Sequence, residues 1–321
     1  MGRKEWQPGQ LWPMLRSQTQ HGLATGALHP IDTTYELVQS EGFTFVVRMA
    51  TNLARKSKTT KKQQQKDPDF NPFLPYEEDL YVCDISETHL CLLNKFNVVD
   101  HHLLIVTRTF EAQETWLTPS DFDALAICLA EIDGFAFYNG GPVAGASQRH
   151  KHLQLVPLPM VTPDPGLLID QLVGTARLPF RYAIAPLPQF SGTALLAAYR
   201  QLLMDLGLAP QTQDSPQEKA WEGAHIAPYN LLCTRRWMMI VPRSQERYDK
   251  ISINALGFAG SLLAKNQNRL DHIKAVGPMF ILQRVGLPAQ YPTADSKLDV
   301  PCPLFHNPPG RKTNDGSKFI L

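Results

Sequence analysis

Long apolar runs are missing from this sequence, since none approaches the ~18 residues of a membrane-spanning helix. Residues 1–10 also lack the apolar centre of a signal peptide. Cysteine is scarce. The five cysteines are scattered and never form a Cys-x-x-Cys pair, which argues against a disulfide framework and against a cysteine-based zinc site. Together these absences predict a cytoplasmic protein that works in a reducing compartment.

An excess of either charge is missing as well. The chain has 31 Lys and Arg against 30 Asp and Glu, a net charge of +1. No global field therefore points to nucleic acid or to an acidic partner, and any anion-binding surface must be local. The composition that is present, 43% hydrophobic and 19% charged over 321 residues, suffices for one large globular domain or two modest ones.

One block of positive charge stands out, at residues 52–66. It holds six Lys and Arg, no acid and a run of glutamines. Such blocks are usually solvated loops. The functional alternative is that one or two lysines near its start close over a polyphosphate.

The apolar periodicity predicts strands separated by helices. Thr118, with Pro119 just inside, is a strong helix start, and an apolar stripe follows it over residues 122–132. We also expect a helix over 253–263. Strands are predicted over residues 44–49, 80–84, 89–93, 101–107, 135–138, 229–233 and 237–241. This order indicates an α+β fold in which helices pack on one face of a sheet.

The most informative stretch is residues 145–157, whose centre alternates as His-x-His-x-Gln. In a strand, side chains at i, i+2 and i+4 share one face. His150, His152 and Gln154 would therefore form a row, while Lys151 points the other way. Two imidazoles and an amide are costly to bury against a core, so this face is predicted to be a site.

The chemistry of this row suits phosphoryl transfer. A neutral imidazole can attack phosphorus directly, provided that its second nitrogen has a fixed partner, commonly a backbone carbonyl. Gln154 can donate to a non-bridging oxygen. Upstream, the run Asn139-Gly140-Gly141 and Gly145 would let backbone N–H groups approach phosphate oxygens, and Ser147 and Gln148 can donate to the same oxygens.

Other interpretations of the row remain open at this point. His-x-His on a strand can be half of a zinc site, but further Cys or acidic ligands are missing nearby. His150 can equally be a buried residue that orients its neighbour. The glycine triplet alone is typical of an ordinary turn. The combination at fixed spacing is much more specific than any of its parts.

This combination resembles the nucleotide-binding motif of the histidine-triad (HIT) superfamily, Asn-x-Gly…Gly-x-Ser…His-x-His-x-His, with Gln154 in the third position. That glutamine marks the transferase branch. Within it, the chain is similar to the diadenosine tetraphosphate phosphorylase (ATP adenylyltransferase) family. The stretches that carry this similarity are residues 92–99, 102–107, 150–154, 229–232, 237–243 and 254–260.

The resemblance implies a HIT-like antiparallel sheet with packed helices, in which the two halves could repeat one unit. It implies a catalytic region over residues 1–190 and a region over 191–321 that completes the substrate site. His152 would be the nucleophile, His150 would support it, and Gln154 would contact the transferred phosphate. The implied substrate-binding residues are Lys56 (with Lys58 as a rival), Asn94, Lys95, Asn139, Gly145, Ala146, Ser147, Gln154, Leu232, Cys233, Thr234, Met239 and Arg243. For Leu232 and Met239, a buried hairpin is the alternative interpretation.

The implied reaction is a reversible phosphorolysis of diadenosine tetraphosphate (Ap4A) to ATP and ADP through an adenylyl-His152 intermediate, with a further exchange between ADP and sulfate. No tightly bound cofactor is indicated, although Mg²⁺ can accompany the substrate phosphates. We expect a monomer or weak homodimer with small-molecule substrates and with neither nucleic acid nor membrane as partner. The alternatives are a hexose-1-phosphate uridylyltransferase-like enzyme, an RNA-binding module and a non-catalytic nucleotide sensor.

Overall fold

The computed structural model describes residues 5–51, 71–172, 177–210, 219–224 and 227–289. Its strands are β1 Thr33–Ser40, β2 Phe43–Ala50, β3 Tyr81–Asp84, β4 His89–Leu93, β5 Leu103–Thr107, β6 Gly134–Asn139, β7 His152–Pro157, β8 Ala183–Pro186, β9 Tyr229–Cys233, β10 Trp237–Pro242, β11 Arg247–Tyr248, β12 Ile251–Ser252 and β13 Ser261–Ala264. Its α-helices are α1 Leu11–Thr25, α2 Pro119–Glu131, α3 Gly192–Asp205, α4 Ala255–Phe258, α5 Gln267–Val276 and α6 Pro278–Val285. Within these ranges no helix is both long and apolar enough to cross a membrane.

One eight-stranded sheet, in the order β3-β4-β5-β7-β6-β9-β10-β8, forms the centre of the molecule. All its neighbouring strands are antiparallel. The two halves of the chain meet where β6 pairs with β9, with Phe137 opposite Leu232. Phe137 also lies opposite Gln154 of β7. The α+β prediction is confirmed, and both halves contribute to a single sheet.

Different elements pack against the two faces of the large sheet. Strand residues such as Ile105 and Leu153 point to a core under α1, α2 and α3. Their neighbours, such as Phe137 and Met239, point to a second core under the three-stranded sheet β1-β2-β13 and the helices α4–α6. The prediction of helices on one face was therefore wrong, because the second face is also covered and would otherwise expose its apolar side chains to water.

The expected helix over 253–263 is also corrected. The chain makes only the single turn α4, then Gly260 takes a left-handed φ of 97° and β13 begins. β13 adds in parallel to β2, with Leu263 opposite Arg48. This pairing brings an element from the end of the chain onto a strand near its beginning, and local periodicity contains no signal for it.

The predicted start of α2 is confirmed and has a structural consequence. The Thr118 hydroxyl accepts from the Asp121 N–H at 3.3 Å, and an Asp121 carboxylate oxygen accepts from the Thr118 N–H at 2.6 Å. The fully buried Asp121 also accepts from His89 Nε2 at 2.9 Å and lies 3.5 Å from Lys151 Nζ. A buried ionic cluster thus sits directly behind the strand that carries His152.

Candidate functional site

His152 opens β7 and is held as a neutral imidazole. Its Nδ1–H donates to the His150 carbonyl at 2.8 Å, which leaves Nε2 as the nitrogen with no partner among the described residues. The side chain is only 4% exposed. Burial lowers the pKa of His152 to about 4, although the hydrogen bond to the His150 carbonyl acts in the opposite direction. A neutral ring with an available Nε2 lone pair is the form that can attack phosphorus.

His150 precedes β7 and supports it. Its Nε2–H donates to the Thr107 carbonyl at 2.8 Å, and its Nδ1 accepts from Asn71 Nδ2 at 3.0 Å. Burial lowers the pKa of His150, against the opposing effect of the bond to Thr107. The Phe73 ring packs edge-on against both His150 and His152, with centroids 5.6 and 5.4 Å away. Both ring nitrogens of His150 are therefore engaged, and its backbone carbonyl holds the His152 ring.

Gln154 lies two residues after His152 in β7, on the same face of the sheet. Its Oε1 accepts from His102 Nε2 at 3.0 Å, and His102 Nδ1 accepts in turn from Asn94 Nδ2 at 3.2 Å. All three side chains line one cavity. No role for His102 follows from the sequence, although residues 102–107 carry part of the resemblance.

The loop after β6 brings Asn139 and Gly145 to the same cavity. The Asn139 Oδ1 accepts from Asn230 Nδ2 at 2.8 Å and from the Ala255 N–H at 2.9 Å, so its amide nitrogen is the end left for a ligand. Gly145 has a φ of 90°, and a Cβ there would lie 2.7 Å from the Ile253 carbonyl. Only glycine fits this approach.

The predicted cradle of glycine N–H groups needs a correction. The N–H groups of Gly141, Gly145 and Ala146 donate to carbonyls inside the turn itself, at 2.9, 3.0 and 3.1 Å. They are therefore not available to a phosphate. In the part of the chain that the structure describes, the N–H groups of Ser147 and Gln148 donate to no protein acceptor, and Ser147 lines the cavity. Any backbone cradle for an oxyanion begins at Ser147.

The cavity has a volume of about 960 Å³ and is cation-rich. The side chains of Arg48, Arg247, Lys250, Lys265 and Arg269 line it, against the carboxylate of Glu246. It lies between β7 of the large sheet and the three-stranded sheet β1-β2-β13, and the hairpin of β11 and β12 contributes to its lining. A balanced chain thus concentrates positive charge at one place, which is how a neutral protein attracts a polyanion.

Gln113 contacts the site although no sequence pattern indicates it. It lies in the segment between β5 and α2 and is 1% exposed. Its Oε1 accepts from the His152 N–H at 2.9 Å, and its Nε2 donates to the carbonyls of Asn139 and His152 at 2.9 and 3.3 Å. It clamps the backbone of His152 to that of Asn139. A lone glutamine in an irregular segment carries no local signal of this contact.

Four residues of the β9–β10 hairpin that were expected to contact substrate lie in the core. Leu232, Cys233 and Met239 are fully buried, and none of them lines the cavity. Thr234 caps the turn, where its hydroxyl accepts from the N–H groups of Arg236 and Trp237. The hairpin is buried in this structure, as the alternative interpretation for Leu232 and Met239 had it, and the substrate contacts of all four residues stay a prediction.

Arg243 is buried as well, and its contact with substrate stays a prediction. Its guanidinium is 3% exposed and does not line the cavity. It donates to the carbonyls of Ala144, Ile253 and Val285 at 3.1, 3.0 and 3.1 Å, and to Asn230 Oδ1 at 2.7 Å. The planar fork that matches phosphate geometry is used here to hold protein loops together.

Two lysine assignments complete the set. Lys95 pairs with Glu77 at 2.6 Å and does not line the cavity, unlike its neighbour Asn94. Lys56 and its rival Lys58 lie outside the described residues. In the described ranges, no group of three His, Cys, Asp or Glu side chains could hold a metal ion.

A neutral histidine with an available Nε2, a neighbouring amide and a cation-rich cavity define a nucleotidyl-transfer class of site on a HIT-like sheet. Solved structures support this fold. The yeast Ap4A phosphorylase Apa2 aligns with a TM-score of 0.68 and 23% identity, over 88% of this chain and 98% of that one. The same enzyme in complex with Ap4A aligns with a TM-score of 0.69 and 23% identity, over the same shares of both chains.

Sequence comparisons identify the family. The Ap4A phosphorylase N-terminal domain matches residues 1–175, and the ATP adenylyltransferase C-terminal domain matches residues 176–288. Diadenosine 5',5'''-P1,P4-tetraphosphate phosphorylase 2 of Saccharomyces cerevisiae is 31% identical over 262 residues, which is 71% of this chain and 78% of the relative. Protein APA1 of the same yeast is 29% identical over 215 residues, 59% of this chain and 65% of its own length. The chain therefore belongs to the Ap4A phosphorylase family, as the resemblance implied. The division of the chain at residue 190 stays a prediction.

Proposed function

We propose that the protein cleaves Ap4A with inorganic phosphate, giving ATP and ADP by adenylyl transfer. Family membership supports this, as does the similarity to the yeast Ap4A phosphorylase that is 31% identical. The observation that carries the proposal is the state of His152, whose Nδ1–H is fixed on the His150 carbonyl at 2.8 Å. A buried, neutral imidazole with one available nitrogen lone pair can attack phosphorus directly.

In the first step, Nε2 of His152 forms a bond to the phosphorus of one adenylyl group. The bond from that phosphorus to the bridging oxygen breaks, and ATP leaves with the oxygen. The imidazole becomes positively charged as it is adenylylated, and the His150 carbonyl that accepts its Nδ1–H stabilises that charge. Gln154 donates to a non-bridging oxygen on which charge develops.

In the second step, an oxygen of inorganic phosphate attacks the same phosphorus. The P–N bond breaks, ADP leaves, and the neutral form of His152 is restored. Both steps are reversible in this scheme, and sulfate in place of phosphate would give the ADP–sulfate exchange that the resemblance implied.

The cationic side chains of the cavity would neutralise the polyphosphate. Arg48 is the most informative of them because it is buried, and burial lowers the pKa of this guanidinium. Its Nη1 and Nη2 donate to Thr33 Oγ1 and the Met160 carbonyl at 3.3 and 2.6 Å. Its Nε–H has no acceptor among the described residues. A buried cation with an unused donor is costly alone, and an anionic ligand would offset that cost.

Further proposals concern the setting of the enzyme. We expect no tightly bound cofactor, with Mg²⁺ accompanying the substrate phosphates, and a monomer or weak homodimer. We also propose a reducing, cytoplasmic setting, which the scattered cysteines of the sequence favour.

The test is to incubate the protein with Ap4A, with and without phosphate, and to quantify ATP and ADP by chromatography. ATP and ADP should accumulate in equal amounts and only when phosphate is present. Without phosphate, one equivalent of ATP and an adenylylated protein should form. Hydrolysis to AMP and ATP, or no turnover at all, would contradict the proposal.

A variant test addresses the nucleophile. His152→Ala should lose turnover and the adenylyl-protein while still binding Ap4A, as measured by calorimetry. The matched control is His21→Ala, which removes a half-exposed histidine that pairs with Asp79 on α1's outer side. Appreciable turnover by His152→Ala would remove His152 from the mechanism.

A further inference from the structure

The tripeptide Asn-x-Phe occurs twice in the sequence, at residues 71–73 and 94–96. In both places the asparagine Oδ1 accepts from the backbone N–H of the phenylalanine, at 3.0 Å for Asn71 and 3.3 Å for Asn94. A backbone N–H can only donate. It therefore determines which end of each amide is the oxygen, and the Nδ2 of each asparagine must donate to what it faces.

Both asparagine amides face an imidazole of the site. Asn71 Nδ2 lies 3.0 Å from His150 Nδ1, and Asn94 Nδ2 lies 3.2 Å from His102 Nδ1. Each Nδ1 must then accept, so the proton of each neutral ring resides on Nε2. For His150 this agrees with its other contact, since Nε2 lies 2.8 Å from the Thr107 carbonyl, which can only accept.

The direction of hydrogen-bond donation continues from His102 to Gln154. His102 Nε2 lies 3.0 Å from Gln154 Oε1, and in this tautomer it donates. The amide nitrogen of Gln154 is then the end that faces the cavity. A phosphate oxygen can only accept a hydrogen bond, so an amide turned the other way would present its carbonyl to the phosphate and repel it.

We propose that His102 is a positioning residue that acts through Gln154. Together with Asn94 it holds the glutamine amide with its N–H₂ toward the transferred phosphate. This inference rests on the proposed function. It gives Asn94 a role beyond the substrate contact that the sequence suggested, because its amide begins the chain of donors that ends at Gln154.

A purely packing role for His102 makes a different prediction. The ring lies against Phe137, with centroids 5.8 Å apart, and is 4% exposed. Phenylalanine at this position would keep an aromatic ring against Phe137 and remove only the two nitrogens. His102→Phe therefore separates the hydrogen-bond role from the packing role.

The first experiment is a double-mutant cycle with His102→Phe and Gln154→Ala. His102→Phe should lower kcat for Ap4A phosphorolysis roughly tenfold, the order of one oriented hydrogen bond, with a smaller change in KM. In the Gln154→Ala background the same substitution should cost almost nothing. His102→Gln, which can accept from Asn94 and donate to Gln154, should recover most of the loss. Multiplicative effects of the two substitutions, or no rescue by glutamine, would overturn the proposal.

The matched control is His21→Phe, which changes a half-exposed histidine outside the cavity. It should leave both kcat and KM unchanged. Thermal unfolding of every variant shows whether each remains folded at the assay temperature.

The second experiment needs no activity. In the ligand-free protein labelled with ¹⁵N-histidine, NMR should show His102 as the Nε2–H tautomer and His152 as the Nδ1–H tautomer. The His102 signals are assigned as those that disappear in His102→Gln. A protonated Nδ1 on His102 would overturn the inference even if phosphorolysis is found. If phosphorolysis is absent, the proposed function fails while the tautomer measurement still decides the orientation of Gln154.

Discussion

Replacing Arg243 by methionine should destabilise the fold and leave the affinity for Ap4A close to that of the unaltered protein. The guanidinium donates to six acceptors: the carbonyls of Ala144, Gln245, Glu246, Ile253 and Val285, and Asn230 Oδ1. Methionine has a similar length and no donors. All six acceptors would lose a charged partner, and those that are buried could not turn to water.

The expected magnitude follows from these contacts. Hydrogen bonds to a charged group contribute roughly 1.5–3 kcal/mol each, but they share one group and are not additive. Leaving a buried acceptor without a donor costs ~1–3 kcal/mol, so several such acceptors, whose costs are not additive, give about 3–5 kcal/mol in total. For a chain of this length, roughly 2 °C per kcal/mol gives a drop of about 6–10 °C in the thermal midpoint. Burial lowers the pKa of Arg243 to about 10, so it remains charged at neutral pH.

The assay compares thermal unfolding, followed by circular dichroism, with KM for Ap4A measured well below the midpoint. Arg247→Met is the opposite control, since this largely exposed side chain lines the cavity and should raise KM without moving the midpoint. If Arg243→Met keeps its midpoint and raises KM by an order of magnitude, the guanidinium is a substrate ligand, and its assignment to the core is refuted.

Three further predictions concern the site and the cluster behind it. Because burial lowers the pKa of His152 to about 4, the phosphate-independent release of ATP should stay constant as the pH falls from 8 to ~5 and decline only near pH 4. A decline centred near ~6.5, the ordinary histidine value, would contradict this. Gly145→Ala should abolish activity and lower the thermal midpoint, since its Cβ would lie 2.7 Å from the Ile253 carbonyl at a φ of 90°; an active, stable variant would refute the close approach. Burial alone would raise the pKa of Asp121, but the bond from His89, the charge of Lys151 and the Thr118 N–H hold it below its usual value. A carboxylate whose pKa is lower in the folded state than in the unfolded state stabilises the fold at any pH above its unfolded pKa of ~4. That stabilisation is lost as the pH falls through the folded-state pKa. The free energy of unfolding should therefore drop at acid pH in the unaltered protein and much less in Asp121→Asn, which should already be less stable by roughly 3 kcal/mol at pH 7 because Lys151 loses a buried partner.

Local rules were sufficient for much of this molecule. The alternation at residues 150–154 placed His152 and Gln154 on one face of a strand, and both lie there. The cap at Thr118 and the hairpin over β9 and β10 follow from short-range chemistry, and each is where the pattern indicated. Position 145 requires glycine because its φ is positive, and the motif has a glycine at this position. In all these cases the interacting residues are near each other in the chain.

The tertiary structure alone decided how the parts are used. It joined the halves into one sheet through β6 and β9, and it added β13 to β2 where the periodicity favoured a helix. It assigned Gln113 to the His152 backbone, and it turned Arg243 into the core. These outcomes depend on hydrogen bonds between residues that are far apart in the sequence. Gln113 and His152 are separated by 39 residues, and Arg243 and Ala144 by 99. A sequence motif can specify a nucleophile, but a polar side chain becomes a ligand or a brace only when folding determines which acceptors it can reach and whether water can replace them.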